Sequence, residues 1–390
     1  DALAADRRSL LVSDAIRSAV LIIIAAALMA LPYFDRKFQS EKTRKILTGC
    51  IIAVVLFDLW GVGKRYLNED HFITPKDFSS HYNPSSIDKE ILKDQDPDFR
   101  VLSTTGFYSA IPSYHHKTIG GYSPVKLQRY QDLIDRYIVS EMRQIYKASQ
   151  GAATVQEVSA ALPELKVISM LNGKYIILGA EYSPVVNPYA YGNAWFVEDF
   201  APAATPNEEI ALLEYTDLRK CAVIGDDFEW AQRFFANAQN DMNDVLNDTI
   251  GCHSERSEES SDRIELSHYA PNELRYAFSA DTDRAVIFSE IYYPKGWKAW
   301  IEPLGAYGEV RGGRYQPTAE GRPVELFRAD WMLRGAIIPS GEGQLIMRFE
   351  PDSYQLGENI SRASSIALIL LLLGSAAGMI LTSRREDKNA

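Results

Sequence analysis

The sequence predicts integral membrane α-helical segments that carry an extracytoplasmic α+β region ending in an antiparallel β-sandwich. Three observations predict it: three stretches of lipid-grade apolarity, a lopsided distribution of charge, and a late run of short strands at regular spacing. Whole-chain averages hide all three. The 390 residues are 24% charged and 46% hydrophobic with a formal net charge of -11, and the mean hydropathy is -0.19. Those figures describe an acidic soluble protein of two or three domains. They exclude collagen-like, disulfide-dense and low-hydrophobicity disordered classes.

Residues 19–31 (AVLIIIAAALMAL) form an unbroken apolar run, and Tyr33 and Phe34 extend it to an interface. Residues 46–62 (ILTGCIIAVVLFDLWGV) contain one charge, Asp58, and residues 363–381 (ASSIALILLLLGSAAGMIL) contain none. A helix crossing the hydrocarbon core needs about 20 residues, with about 17 as the lower limit. The expected spans are therefore about 15–34, 46–62 and 360–382. A cleaved signal peptide fits the first run poorly, because acidic residues precede it and a second span follows closely.

Orientation follows from Lys and Arg. Arg36, Lys37, Lys42, Arg44 and Lys45 crowd the loop between the first two spans, and Arg384, Arg385 and Lys388 follow the third. Both segments read as cytoplasmic, the second as a tail at 383–390, which places residues 63–360 outside. Residues 63–360 hold 29 basic and 44 acidic side chains, whereas 1–62 and 361–390 each carry a net charge of +2. An outer region of charge -15 does not attract nucleic acid. With its first residues outside and no initiator Met, the sequence is expected to be the C-terminal part of a longer polytopic protein.

Outside the membrane, residues 63–250 read as α+β. A strand is expected at 99–104 and a helix at 124–147, where Leu127, Tyr130, Leu133, Ile134, Tyr137 and Ile138 recur at spacings of three and four. Residues 167–170 and 174–178 read as two strands joined by Asn172-Gly173, a hairpin dipeptide. Further strands are expected at 195–200 and 221–224. The segment 251–263 contains HSERSEESS, which has no apolar residue, and is expected to be a disordered insertion. From 264 to 352 seven short strands (264–269, 273–280, 284–292, 297–302, 324–329, 333–338 and 344–349) predict the sandwich.

Chemistry-bearing patterns are sparse. No phosphate loop, GxSxG, CxxC or HExxH occurs, and no metal or cofactor is expected. Cys50 lies in a span, while Cys221 and Cys252 are available to pair in an oxidising compartment. His115 and His116 are expected at a loop surface. Asp58 stands out, since a carboxylate inside a span is costly and marks a functional contact or a span boundary. The segment 292–300 (YYPKGWKAW) places four aromatics around one turn, suited to stacking on sugar C–H faces or to filling a core.

Several strings resemble the C-terminal region of the YfhO family of bacterial polytopic membrane proteins. They are DRRSLLVSDAIRS, FDLWGVGKRYLN, IGGYSPVKLQRYQDLI, MLNGKYIILG, NPYAYGNAWFV, YAPNELRYAFSA, FSEIYYPKGWKAWI and LRGAIIPSGEGQLIMRFEP, in that order. The segment 305–321 departs from the pattern, with a longer Gly-rich loop in place of a short hairpin. The resemblance implies a multi-pass protein of the bacterial cytoplasmic membrane. It further implies glycosyltransferase-like chemistry on a polyprenyl-phosphate sugar at the outer face, directed to a cell-envelope glycopolymer. The catalytic acidic residue is then expected N-terminal to Asp1, leaving this chain to anchor the protein and bind the acceptor. Tyr122, Lys126, Tyr130, Trp195 and Trp297 are the candidates for the acceptor glycan, and Asp58 for the donor side. A non-enzymatic glycan-binding or scaffolding role in the envelope is the alternative.

Overall fold

The computed structural model describes residues 2–80, 82–179, 181–240 and 262–389. The chain divides into two compact units, Asp1–Asn83 and Pro84–Ala390. The expected insertion motif HSERSEESS and Cys252 lie outside the described residues.

In the first unit, helices Ala2–Phe34 and Glu41–Tyr66 are joined by a 3-10 turn at Arg36–Gln39. Ser40 starts the second helix by accepting a hydrogen bond from the Thr43 amide at 3.2 Å. Among the described residues, three helical segments are long and apolar enough to cross a membrane: Arg7–Phe34, Glu41–Tyr66 and, in the second unit, Asp352–Ser375. Each helix outruns its apolar stretch, and the first carries Pro32 within its last turn.

The second unit contains sixteen strands among its described residues. Its first half supplies β1 (Arg100–Ser103), β2 (Gly173–Ile177), β3 (Val185–Val186), β4 (Ala194–Val197), β5 (Asp199–Ala203) and β6 (Cys221–Gly225). After residue 261 come β7 (Arg263–Ala270), β8 (Glu273–Ala280), β9 (Arg284–Ile291), β10 (Trp297–Glu302), β11 (Glu309–Arg311) and β12 (Arg314–Gln316). The series ends with β13 (Arg322–Val324), β14 (Leu326–Ala329), β15 (Leu333–Ile338) and β16 (Gly341–Phe349).

Two antiparallel sheets dominate, one ordered β13-β10-β16-β8-β7 and the other β14-β15-β9-β4. Alternate side chains of both sheets share one buried cluster, including Tyr276, Phe288, Ile301, Ile338, Leu345 and Met347. A larger cluster joins β4, β5, β6, β14 and the start of β15 to the helices of the first half, through residues such as Ile134, Leu213, Val223, Phe327 and Leu333. Packing is thus continuous between the residues before 241 and those after 261. Strand β4, from the first half, pairs with β9 and completes the four-stranded sheet.

Several local expectations are corrected. Residues 167–170 belong to a helix, Lys166–Met170, all four of them buried. An apolar run with no polar face carries no periodicity, and two amides at the helix start find an acceptor in Glu141, which the local sequence does not reveal. Asn172, in the left-handed region at φ 53°, turns that helix into β2 rather than closing a hairpin. The helix expected at 124–147 begins at Gln128 and runs through a π-turn, Ile134–Ile138, to Ser149. The strand expected at 195–200 is two, β4 and β5, in different sheets, and that at 324–329 is likewise two, β13 and β14. The Gly-rich segment 305–321 holds a hairpin, β11 and β12, turning on Gly312 and Gly313 at φ 58° and 76°. His116 is buried rather than at a loop surface, its Nε2 2.8 Å from Asp88 Oδ1.

Candidate functional site

The edge where the two large sheets exchange strands forms the most chemically distinctive cavity. β13 pairs with β10 in one sheet, β14 pairs with β15 in the other, and only Glu325 separates them. A backbone changing sheets over one residue cannot close the space behind it. The resulting cavity, about 400 Å³, is lined by Tyr293, Pro294, Trp297, Lys298, Pro323, Glu325 and Arg334, among others.

Trp297 opens β10 after a turn that requires glycine. Gly296 has φ 120°, and a Cβ there would stand 2.8 Å from the Phe349 ring and 3.0 Å from Pro351. The close approach seats the Trp297 ring against Phe349, with centroids 5.5 Å apart. The Arg334 guanidinium carbon lies 4.0 Å from the Trp297 ring centroid, within cation–π range. Trp300, three residues on, points to the other face of β10, where it packs with Tyr315 and Ile346 under the β11–β12 hairpin.

Arg334 is the unusual residue. It sits on an inner strand between β14 and β9 and is 1% exposed. Its Nη2 donates to Ile291 O at 3.1 Å, its Nη1 has only the Met347 thioether sulfur at 3.3 Å, and its Nε has no partner among the described residues. Burial pulls its pKa below the usual guanidinium range, opposed by the Glu290 carboxylate. Tyr276 is equally buried, and its hydroxyl also lacks a partner among the described residues.

Glu290 links Arg334 to a second set of buried charges. Arg100 lies 3.5 Å from Glu290 and donates to the backbone oxygens of Leu171 and Ser289. Asp98, 2% exposed, pairs with Lys117, whose ammonium lies over the Tyr269 ring. Burial, and then the Glu290 carboxylate beside it, push Asp98 above the usual carboxylate range. Burial works against Glu290 too, but Arg100 and Arg334 hold it below that range. Two arginines and two carboxyls therefore share this interior, and the partly exposed Lys117 pairs with Asp98 from its edge.

A second cavity, of about 990 Å³, is wider and mainly apolar, with Phe107, Tyr108, Met142, Tyr146, Leu178 and Tyr182 in its walls. None of its lining side chains is a buried polar atom without a partner, so it offers shape with little chemical discrimination.

The sequence-derived candidates fall in several places. Tyr122 is 75% exposed in the loop before helix Gln128–Leu133. Lys126 Nζ donates to Gln131 Oε1 at 3.2 Å, and the Tyr130 hydroxyl donates inward to Ile119 O at 2.5 Å. Trp195 on β4 donates to Leu218 O at 2.9 Å and meets the Tyr191 ring edge-on. Trp195 and Tyr130 pack against the larger core and Trp297 against the inter-sheet one. Asp58 is paired across the first unit's two helices, Oδ1 lying 3.3 Å from Arg17 Nη2, and Arg65 pairs with Asp14 at 2.6 Å nearby. Arg334 went unnoticed in the sequence, although a lone charge in the strand LRGAII is itself a signal.

Comparison of the chain with protein-family models, with curated proteins and with solved structures yields no match in any of the three.

Proposed function

We propose that this chain is the membrane-anchored, glycan-binding portion of a YfhO-like envelope protein. The three long apolar helices are read as membrane spans and the two large antiparallel sheets as a β-sandwich held outside the bacterial cytoplasmic membrane. The inter-sheet cavity takes a sugar unit of an envelope glycopolymer. The complete protein is a glycosyltransferase that draws on a polyprenyl-linked sugar at the outer leaflet. Tethering the acceptor beside the bilayer raises its effective concentration where the lipid-linked donor is confined.

The observation that supports this most is the cavity itself: a sugar-sized volume between Tyr293 and Trp297 with Arg334, Lys298 and Glu325 in its walls. Aromatic rings present apolar faces, and a few convergent polar groups fix orientation, the usual composition of a small-ligand site. The test is glycan-array binding by the full chain in phosphatidylcholine nanodiscs, repeated with Trp297→Ala. Binding that is lost in the variant, with near-ultraviolet circular dichroism outside the indole contribution unchanged, supports the site. Binding that survives the substitution assigns Trp297 to packing alone.

A further inference from the structure

We propose that the inter-sheet cavity selects an anionic sugar unit, one bearing a phosphate or a carboxylate, and that Arg334 receives the charged group. This rests on the glycan-binding reading and deepens it by naming the ligand's charge.

Arginine is almost never fully buried without a full set of partners. Arg334 departs from that: of its five N–H groups, the protein supplies one carbonyl oxygen and one weak thioether acceptor. The buried carboxylate that acts on its charge, Glu290, is also paired with Arg100 at 3.5 Å. Arg334 is thus left short of acceptors, and it is so against a cavity wall. A buried cation left short of acceptors is costly in an empty protein and becomes favourable once an anion arrives.

The geometry also says how the anion would be met. The Trp297 ring centroid lies 4.0 Å from the guanidinium carbon. Guanidinium N–H groups lie in the plane of the group, and three of the five meet no acceptor among the described residues. The guanidinium edge suits two oxygens of a phosphate or carboxylate. Lys298 on the cavity wall adds a second positive charge, while Glu325 at the crossover disfavours a bulky polyanion. A singly substituted sugar is the ligand that fits both.

The experiment is isothermal titration of the full chain in phosphatidylcholine nanodiscs with four probes: glucose, glucose 6-phosphate, glucuronate and inorganic phosphate. Glucose 6-phosphate or glucuronate should bind roughly tenfold to a hundredfold tighter than glucose, the range of a charge-assisted hydrogen bond. Whichever of the two is preferred identifies the anionic group. Arg334→Met should remove the preference for the charged sugars over glucose, and Lys298→Ala should keep the preference. Equal affinities for glucose and both charged sugars would overturn the inference and leave the glycan reading standing. Loss of the preference in Lys298→Ala alone would also overturn it, by moving the anion contact to the rim. If inorganic phosphate binds through Arg334 and no sugar binds, the anion site stands and the glycan reading fails. If Arg334→Met does not fold, the wild-type ranking together with Lys298→Ala still decides.

Discussion

Asp330 and Val223 hold each other through two hydrogen bonds. The Asp330 amide donates to Val223 O, and the Val223 amide donates to Asp330 Oδ1, both at 2.8 Å. The pair fastens the turn between β14 and β15 to strand β6. Asp330 occupies the left-handed region at φ 48°, which Asp and Asn tolerate better than most residues. It is fully buried, and its Oδ2 has no partner among the described residues.

Burial pushes the Asp330 carboxyl up to about 8, with the Val223 amide opposing and Glu209 reinforcing the shift. The folded state therefore keeps a proton that the unfolded chain releases near pH 4. Stability contributed by that proton is complete below the unfolded value and is lost as pH rises toward about 8. Asp330→Asn keeps the acceptor for Val223 and removes the charge. Its melting temperature should exceed wild type by more at pH 8 than at pH 5. A constant difference across that range would sink the assignment.

Glu141 caps a helix that its own segment does not contain. Its two carboxylate oxygens accept from the Val167 and Ile168 amides at 2.8 and 2.9 Å, and the residue is 7% exposed. Burial raises its pKa to about 7 despite those amides. Glu141→Ala leaves both donors buried and unpaired. Denaturant titration should show a loss on the order of 2–3 kcal/mol, whereas a loss under about 0.5 kcal/mol, typical of surface changes, would mean that water replaces the carboxylate.

Gly335 is required by a neighbouring ring. A Cβ there would lie 2.2 Å from Phe327 Cε2, and Phe327 is fully buried against Phe200 and Trp230. Gly335→Ala must displace that ring and should cost about 1–3 kcal/mol. Adding Phe327→Leu should recover part of the loss, measured by the same titration; no recovery would trace the cost to the backbone instead.

Arg17 and Asp58 are expected to act as a unit if the first two helices span the bilayer as proposed. Arg17→Leu leaves Asp58 without its countercharge and should lower stability in nanodiscs by roughly 1–3 kcal/mol. Asp58→Leu in the same chain should restore most of it. Additive losses in the double variant would show that the 3.3 Å approach carries no coupling.

Most strands after residue 261, though not β11, β12 or the division of β13 from β14, were legible because alternation and Gly- or Pro-bearing turns recur there at short intervals. Legibility failed where the partner is remote in sequence. Nothing near Val167 announces Glu141, and nothing in residues 324–329 indicates that Glu325 divides two sheets. The candidate cavity was half visible: its aromatic wall is one contiguous string, but Arg334 arrives from another strand. Asp58 drew notice as a lone charge among apolar residues, and the same test applied to LRGAII would have found Arg334.

Strand β4 precedes the segment 241–261 and β9 follows it, yet they are hydrogen-bonded neighbours from Ala194 to Val197. A chain severed anywhere within that segment would therefore behave as a split protein, its two pieces staying associated through a shared sheet and a shared core. Expressed separately, the later piece would present the bare edge of β9 and the uncovered faces of Phe327 and Leu333, a template for aggregation. Fragment design in this protein has to follow the sheet rather than the order of the sequence.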